Sequence, residues 1–246
     1  MDLSYPDLHL HISVSAELNI HKQIRPIFLN ATSVEDFSTV EQAAAQDIHP
    51  FYGIHPWYTE DRPFKDGRSY DELVRRVSDN KFCGIGECGL DFSQKYRHNR
   101  ENQINSFESQ LELAFEYNRP LSIHCVQAWG QLVSSLKRFT PLPAPFMLHS
   151  FYGPPEVLHQ LLEMNAYISL SAMSLRNLTK SAPVIRKIPS DRILVESDIE
   201  VGSPDFSKIS HFTILRNNYK TIAEIRSVSV SELISGVIEN GKVFTN

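Results

Sequence analysis

The chain has 246 residues, 41% of them hydrophobic and 22% charged, a balance that suits a folded protein able to bury its own core. Its formal charge of −5, from 24 Lys and Arg against 29 Asp and Glu, argues against broad coating of nucleic acid, which depends on many cationic contacts, but not against an enzyme that grips only a strand end. Three cysteines, Cys83, Cys88 and Cys125, form no CxxC pair, so neither a zinc ribbon nor a disulfide framework is expected and a reducing, cytoplasmic setting is.

The opening MDLSYPDLHLHI has no basic region followed by an apolar stretch, so no signal peptide is expected, and no run reaches the ~20 apolar residues of a membrane helix. Tyr5–Ile12 reads as the first strand. His9 and His11 alternate along it and share one face, while Leu8, Leu10 and Ile12 take the other. Asp7 falls on the histidines' face, where it can orient an imidazole. Only the twelve residues ISVSAELNIHKQ separate His11 from the next strand, Ile24–Ala31. That is near the shortest crossover a parallel pair tolerates, so the first helix should be short or replaced by a loop.

Val34–Gln46 reads as a helix and Pro50–His55 as a strand ending in His55. Ser69–Ser78 is a helical pattern in which Ser69 and Glu72 have capping-box spacing. The strand Phe82–Glu87 runs into GIGECGLDF, where Gly84, Gly86 and Gly89 let neighbouring groups approach Glu87. Asp91 follows as a support for a ligand or a cap of the next loop. Glu101–Asn118 is the longest helical pattern, with Ile104, Phe107, Leu111, Ala114 and Phe115 on one stripe. Strands Leu121–Val126, Phe146–Ser150, Ala166–Leu170 and Ile193–Ser197 then alternate with helices Trp129–Phe139, Pro155–Asn165 and Ala182–Lys187. Helices Phe212–Ser227 and Ser231–Asn240 close the chain.

Eight strands in this alternation, without a break in composition, predict an α/β fold: a distorted (β/α)8 TIM barrel, one domain over residues 1–246, with a shortened first crossover. An open doubly wound sheet is the alternative, but neither GxGxxG nor GxxxxGK[ST] is present. In a barrel, strand ends meet on one rim. There the six donors His9, His11, Glu87, His124, His149 and Asp198, drawn from five strands, form a set suited to two divalent metal ions and water activation. Zinc, manganese and iron suit imidazole with carboxylate, and magnesium is a further candidate. Taken singly, each has a plainer reading as a core histidine, a turn glutamate or an N-cap aspartate. Asp198 is the candidate proton acceptor from attacking water, and Glu196, two positions earlier, can buttress the ligands. His55 could contact phosphate or close the barrel. Arg97, His98 and Arg100 read as a solvated loop or backbone contacts, and Trp57, Phe92, Phe151 and Tyr152 as packing or base-stacking groups.

These residues carry a resemblance to the TatD family of metal-dependent deoxyribonucleases, among the amidohydrolase-like barrels. DLHLH, GIHPW, GIGECGLDF, PLSIHC, LHSFYG, YISLS, RILVESD and the terminal NGKVF follow the family's block order over essentially the whole chain. The resemblance implies a distorted barrel with two divalent metals and phosphodiesterase activity on DNA. His9, His11 and Asp198 would hold one ion, His124 and His149 the other, and Glu87 would bridge. The chain departs from the pattern at Ser13, where the family has Asp, at Val126, where it has Arg, and at Ile199-Glu200, where it has a small residue and Pro. The leading expectation is therefore a nuclease acting on a DNA strand end, cytoplasmic and without a membrane anchor, its protein partners unknown. A metal-dependent hydrolase of a small phosphate, ester or amide, and a non-catalytic scaffold on the same barrel, are the alternatives.

Overall fold

The computed structural model of the chain describes residues 4–59 and 64–245; residues 1–3, where the N-terminal reading starts, lie outside the described residues. Nine parallel strands form one sheet: β1 (Tyr5–Ile12), β2 (Ile24–Asn30), β3 (Ile48–Tyr52), β4 (Gly84–Asp91), β5 (Leu121–Val126), β6 (Phe146–Leu148), β7 (Tyr167–Leu170), β8 (Ile193–Val195) and β9 (Glu200–Val201). Their order is β8-β7-β6-β5-β4-β3-β2-β1-β9. The two edge strands are successive stretches of one path. Leu194 and Val195 pair with Ser169 and Leu170 of β7, whereas Glu200 and Val201 pair with His11 and Ile12 of β1. Between them, the Asp198 N–H donates to His9 O at 3.1 Å. One stretch of chain therefore bonds both neighbours and closes the sheet into a distorted (β/α)8 ring. β4 is buried along its whole length, as a strand covered on both faces should be.

The helices are α1 (Phe37–Ala43), α2 (Arg68–Asp79), α3 (Arg100–Tyr117), α4 (Trp129–Phe139), α5 (Pro155–Glu163), α6 (Leu178–Ile185), α7 (Lys208–Arg226) and α8 (Val230–Thr245). No helix lies between β1 and β2; Ala16, Leu18 and Ile20 of the connecting loop pack on the core instead. Among the described residues, no helix is long and apolar enough to cross a membrane. The three cysteines are buried and unpaired.

Several boundaries differ from the sequence reading. β4 starts at Gly84 rather than Phe82, which is 86% exposed, and runs on to Asp91 because its ladder with β5 continues through Asp91–Val126. β3 stops at Tyr52, so His55 lies beyond the strand, capping a 3-10 turn over Pro56–Tyr58. α2 begins at Arg68 on a Gly67 cap, which puts Ser69 inside the helix; Glu72 bonds Arg75 and Arg76 instead of closing a capping box. The Asn177 side chain accepts from Lys180 N and starts α6 before Ala182, and Pro183 is inside that helix. Phe115 is 55% exposed and off the buried stripe of α3.

The two ends of the ring differ in chemistry. At the N-terminal end, Phe244 of α8 packs 5.6 Å from the Phe28 ring and 5.3 Å from the Tyr167 ring. Phe51 of β3 lies 6.3 Å from the same Phe244 ring, and β3 and β7 stand on opposite walls, so a side chain that touches both plugs the barrel axis; burying such a ring is worth about 2–3 kcal/mol. The C-terminal end is instead held open by polar side chains. Gln110 of α3 accepts from Ile54 N at 2.9 Å and donates to Ile54 O at 3.1 Å, fixing the segment that carries His55. Gln103 accepts from Asp91 N at 2.9 Å and anchors the end of β4.

Gly89 lies close against the backbone of β5. Its φ is +133°, and a Cβ there would meet His124 O at 2.1 Å, a backbone atom that cannot step aside. We expect Gly89→Ala to cost about 3 kcal/mol or to prevent soluble folding. Gly130→Ala, in α4 with open space around it, should be neutral or stabilising by up to about 1 kcal/mol. Urea unfolding of the two variants beside the parent checks both.

Candidate metal centre

The six residues singled out from the sequence converge at the C-terminal rim. His9 and His11 share a face of β1, and their Nε2 atoms stand 3.1 Å apart. His124 of β5 and His149, just past β6, bring Nδ1 and Nε2 to 3.1 Å from each other. Glu87 of β4 lies between the pairs. Its Oε2 is 3.5 Å from His9 and 3.3 Å from His11, and its Oε1 is 2.8 Å from both His124 and His149. Asp198 Oδ1 approaches the first pair, at 3.9 and 3.8 Å.

Each of these four imidazoles has its outer nitrogen beside an oxygen. His9 Nδ1 meets Ser122 Oγ at 2.9 Å and His11 Nδ1 meets Asn30 O at 2.9 Å. His149 Nδ1 lies 3.4 Å from Glu196, and His124 Nε2 lies 3.8 Å from Asp91. A carbonyl can only accept, so His11 carries a proton on Nδ1 and, in its neutral form, turns a lone pair inward; an oxygen behind each of the others favours the same orientation. Two inward lone pairs at 3.1 Å repel unless a cation lies between them. Ligands on a tetrahedral zinc with ~2.0 Å bonds are separated by roughly 3.3 Å, so the donor set fits a metal ion. His55 is built the other way round. Its Nδ1 accepts from Trp57 N at 3.2 Å, which puts the proton on Nε2, 3.3 Å from Glu87 Oε1. His55 is thus a donor into the centre, although its position also groups it with Glu87 and His124.

Electrostatics follow the same plan. Burial alone would raise the Glu87 pKa, but His149, His55, His11 and His124 outweigh it and hold the carboxyl well below its usual range. Burial also lowers imidazole pKa values; at His11 the hydrogen bond and charge of Glu87, with Asp198, reverse the effect and push it up to about 9. His55 is lowered to about 4, chiefly by burial, and stays neutral. Burial pushes both Glu196 and Asp198 up.

The backbone at this rim is strained. Gln127 (φ 52°), Ser150 (φ 48°) and Asp198 (φ 58°) occupy the left-handed region, each just beyond a strand that supplies a site residue. Ser150 N donates to Glu196 Oε1 at 2.6 Å, and the Ser169 hydroxyl bonds its other oxygen. Trp57 Nε1 donates to Asp91 Oδ2 at 2.7 Å. Ser122, the Asn30 carbonyl and His211 escaped the sequence reading. Ser122 sits two residues before His124 and so shares its face, a period-two signal that could have found it. Asp7 does not reach the ligand imidazoles; it serves His211 and Ser197. Arg97, His98 and Arg100 lie in a 3-10 turn and at the start of α3, and none lines the cavity of about 720 Å³ that opens over the centre.

A closed (β/α)8 ring with imidazoles and carboxylates gathered at its C-terminal rim defines the class: a metal-dependent barrel hydrolase. The chain belongs to the TatD-related DNase family, whose model matches residues 7–246, and it is accordingly a metal-dependent hydrolase of phosphodiester bonds. It is 29% identical over 198 residues to YabD of Bacillus subtilis, an uncharacterised metal-dependent hydrolase, covering 79% of this chain and 76% of that one. A 3′–5′ ssDNA/RNA exonuclease TatD of Erwinia tasmaniensis is 31% identical over 157 residues, 61% of this chain and 59% of its own. Among solved structures, the TatD homologue YjjV of Escherichia coli superposes with a TM-score of 0.75 at 22% identity, covering 91% of this chain and 87% of its own. The phosphotriesterase homology protein of Escherichia coli, with phosphate in its active site, superposes at 0.61 with 13% identity, covering 99% of each chain. These two structural likenesses bear on the fold alone.

Behind the centre, Asp7 links three elements. Its Oδ1 accepts from Ser197 N at 2.8 Å, its Oδ2 pairs with His211 Nε2 of α7 at 2.8 Å, and both side chains are fully buried. Ser197 precedes Asp198, so this pair fixes the bend that turns Asp198 inward. Removing one partner strands the other in low dielectric. Asp7→Ala should therefore cost about 3 kcal/mol, and thermal melting of the variant checks it.

Proposed function

We propose that the chain removes nucleotides from the end of a single-stranded nucleic acid, as a dinuclear metal-dependent exonuclease acting over residues 1–246 as one unit. One observation carries the reading: the two oxygens of Glu87 face different imidazole pairs, the arrangement a bridging carboxylate needs. His9, His11 and Asp198 would hold one cation, His124 and His149 the second, with Glu87 between. When bound, such a pair lowers the pKa of water and neutralises charge on a transferring phosphoryl group. The imidazole-rich set suits zinc, manganese or iron better than magnesium.

The chain's own groups supply the rest. Asp198, one-third exposed and facing the cavity, takes the proton of the attacking water and passes it to solvent. Neutral His55 offers its Nε2–H to a phosphate oxygen. Glu196 and Asp91 place carboxylate charge 3.4 and 3.8 Å from the outer nitrogens of His149 and His124, which favours a proton on those nitrogens. Trp57 and Tyr58, about half exposed on the cavity wall, offer faces to an unpaired base. A net charge of −5 fits a protein that grips one end rather than a long stretch of backbone. The exonuclease activity in the name of the Erwinia relative supports the same reading.

Glu87→Gln keeps the side chain's shape but removes the bridging charge. It should lower metal-dependent cleavage of a single-stranded oligonucleotide by on the order of 10³-fold while circular dichroism stays unchanged. Full turnover in this variant would reject the role given to Glu87. A second expectation concerns protons. At pH 7.5 His11, with its pKa near 9 in the metal-free centre, is protonated, and ligation requires the neutral form. Zinc binding should therefore release protons at pH 7.5 and fewer as the pH rises past 9. Calorimetric titration in buffers of different ionisation enthalpy measures that release.

A further inference from the structure

Two cavities open at the C-terminal rim, and their chemistry is opposite. One is the mouth of the centre itself. Beyond the candidate ligands and His55, its lining includes Glu35, Asp36 and Glu200 and, among the described residues, no Lys or Arg. Asp36 is committed to the backbone, accepting from Thr32 N at 2.9 Å and Ser33 N at 3.1 Å. Glu35 and Glu200 are exposed, and Glu200 accepts from Ser13 Oγ at 2.8 Å. The same cavity is lined by His124, whose Nε2 is buried without a hydrogen-bond partner.

The other cavity, of about 850 Å³, begins at Phe151, two residues past His149, and runs along α6. Leu170, Ile185 and Ile188 form an apolar floor, with Tyr152 and Met173 about half exposed above it. Arg176 and Lys180 are exposed on its lining, which among the described residues contains no carboxylate, and Ser181 Oγ is buried there without a partner. The two cavities flank the centre without sharing a lining residue: Ser150, next to His149, bonds the Ser171 hydroxyl at the start of the loop that leads into the groove.

Resting on the nuclease reading, we propose that a single strand crosses the centre in one orientation. Its body lies in the Phe151–Lys180 groove, and its terminal nucleoside, ending in an uncharged hydroxyl, sits in the acidic mouth. Apolar walls with flanking cations accept bases and backbone phosphates together. The mouth does the reverse. Glu35 and Glu200 can accept from a sugar hydroxyl, but they repel a terminal phosphate, which carries about −1.5 to −2 charges at neutral pH. They equally repel the next phosphodiester of a strand that runs on, so the mouth selects for ends over internal bonds.

The test uses the zinc- or manganese-loaded protein and single-stranded DNAs of one sequence bearing hydroxyl or phosphate at the 3′ or the 5′ end, with a closed circle as a fifth substrate. Initial rates are measured, and binding is followed by the anisotropy of an internal fluorescein. Phosphate at the attacked end should lower kcat/KM about tenfold or more, phosphate at the other end should not, and the circle should resist cleavage. In the Glu35→Gln, Glu200→Gln double variant the ratio of rates for hydroxyl and phosphate ends should fall toward one. Arg176→Ala with Lys180→Ala should act on KM more than on kcat, raising KM about tenfold, and should reduce the log–log salt slope by about 1.4. Equal rates and equal binding for hydroxyl and phosphate ends would overturn the proposal, as would an unchanged KM in the groove variant. No cleavage of any strand, with binding still favouring hydroxyl ends, would reject the nuclease reading and leave this orientation standing.

Discussion

An ionised carboxylate taken out of water costs several kcal/mol unless charges or hydrogen bonds meet it, and Glu87 is only 3% exposed. Its neighbours are arranged to meet that cost. Four imidazoles and the His55 donor surround its two oxygens, each within 3.5 Å. Without a cation the imidazoles must share protons to satisfy Glu87, which is why His11 and His149 are pushed up while His9 and His55 are pushed down. A pocket that divides charge so unevenly among like groups is poised for a cation to replace those protons.

The rest of the rim serves to keep this cluster rigid. Buried Gln103 and Gln110 of α3 hold the backbone at Asp91 and Ile54, so one helix sets the position of both Asp91 and His55. Trp57 then ties those segments together through Asp91. On the opposite wall, Glu196 gathers Ser150 N and the Ser169 hydroxyl behind His149. Left-handed backbone at Ser150 and Asp198 is tolerable because these bonds over-determine it.

Much of this was legible in the sequence wherever a strand's period fixes direction. His9 and His11 had to share a face, and His124 and His149 had to end successive strands, so convergence followed from barrel closure alone. Roles set by hydrogen bonding were not legible. His55 resembles a ligand by type, yet the Trp57 N–H on its Nδ1 makes it a donor. Asp7 lies on the face of His9, but its partners are a helix some two hundred residues later in the chain and the backbone after β8, contacts no local pattern encodes. Strand ends slipped for a similar reason. β4 outruns its expected end because β5 pairs with it as far as Asp91, a tertiary fact. The shortened first crossover was readable, because chain length alone limits what can fit between β1 and β2.

The departures at Ser13 and Ile199-Glu200 occupy the seam where the ring closes. Glu200 pairs with His11 across β9 and β1, and Ser13 Oγ bonds the Glu200 carboxylate. The residues that complete the barrel thus also set the charge of the cavity mouth. The register of β1 with β9 is carried by backbone bonds such as His11 N to Ile199 O and Ser13 N to Val201 O, so it does not depend on the Glu200 side chain. Val126 lies at the end of β5, two residues beyond His124, an apolar side chain at the position where the resemblance led to an Arg. Among the described residues no Lys or Arg lines the mouth itself, though Lys95 stands 5.9 Å from the Trp57 ring on its wall, whereas Arg176 and Lys180 line the α6 groove.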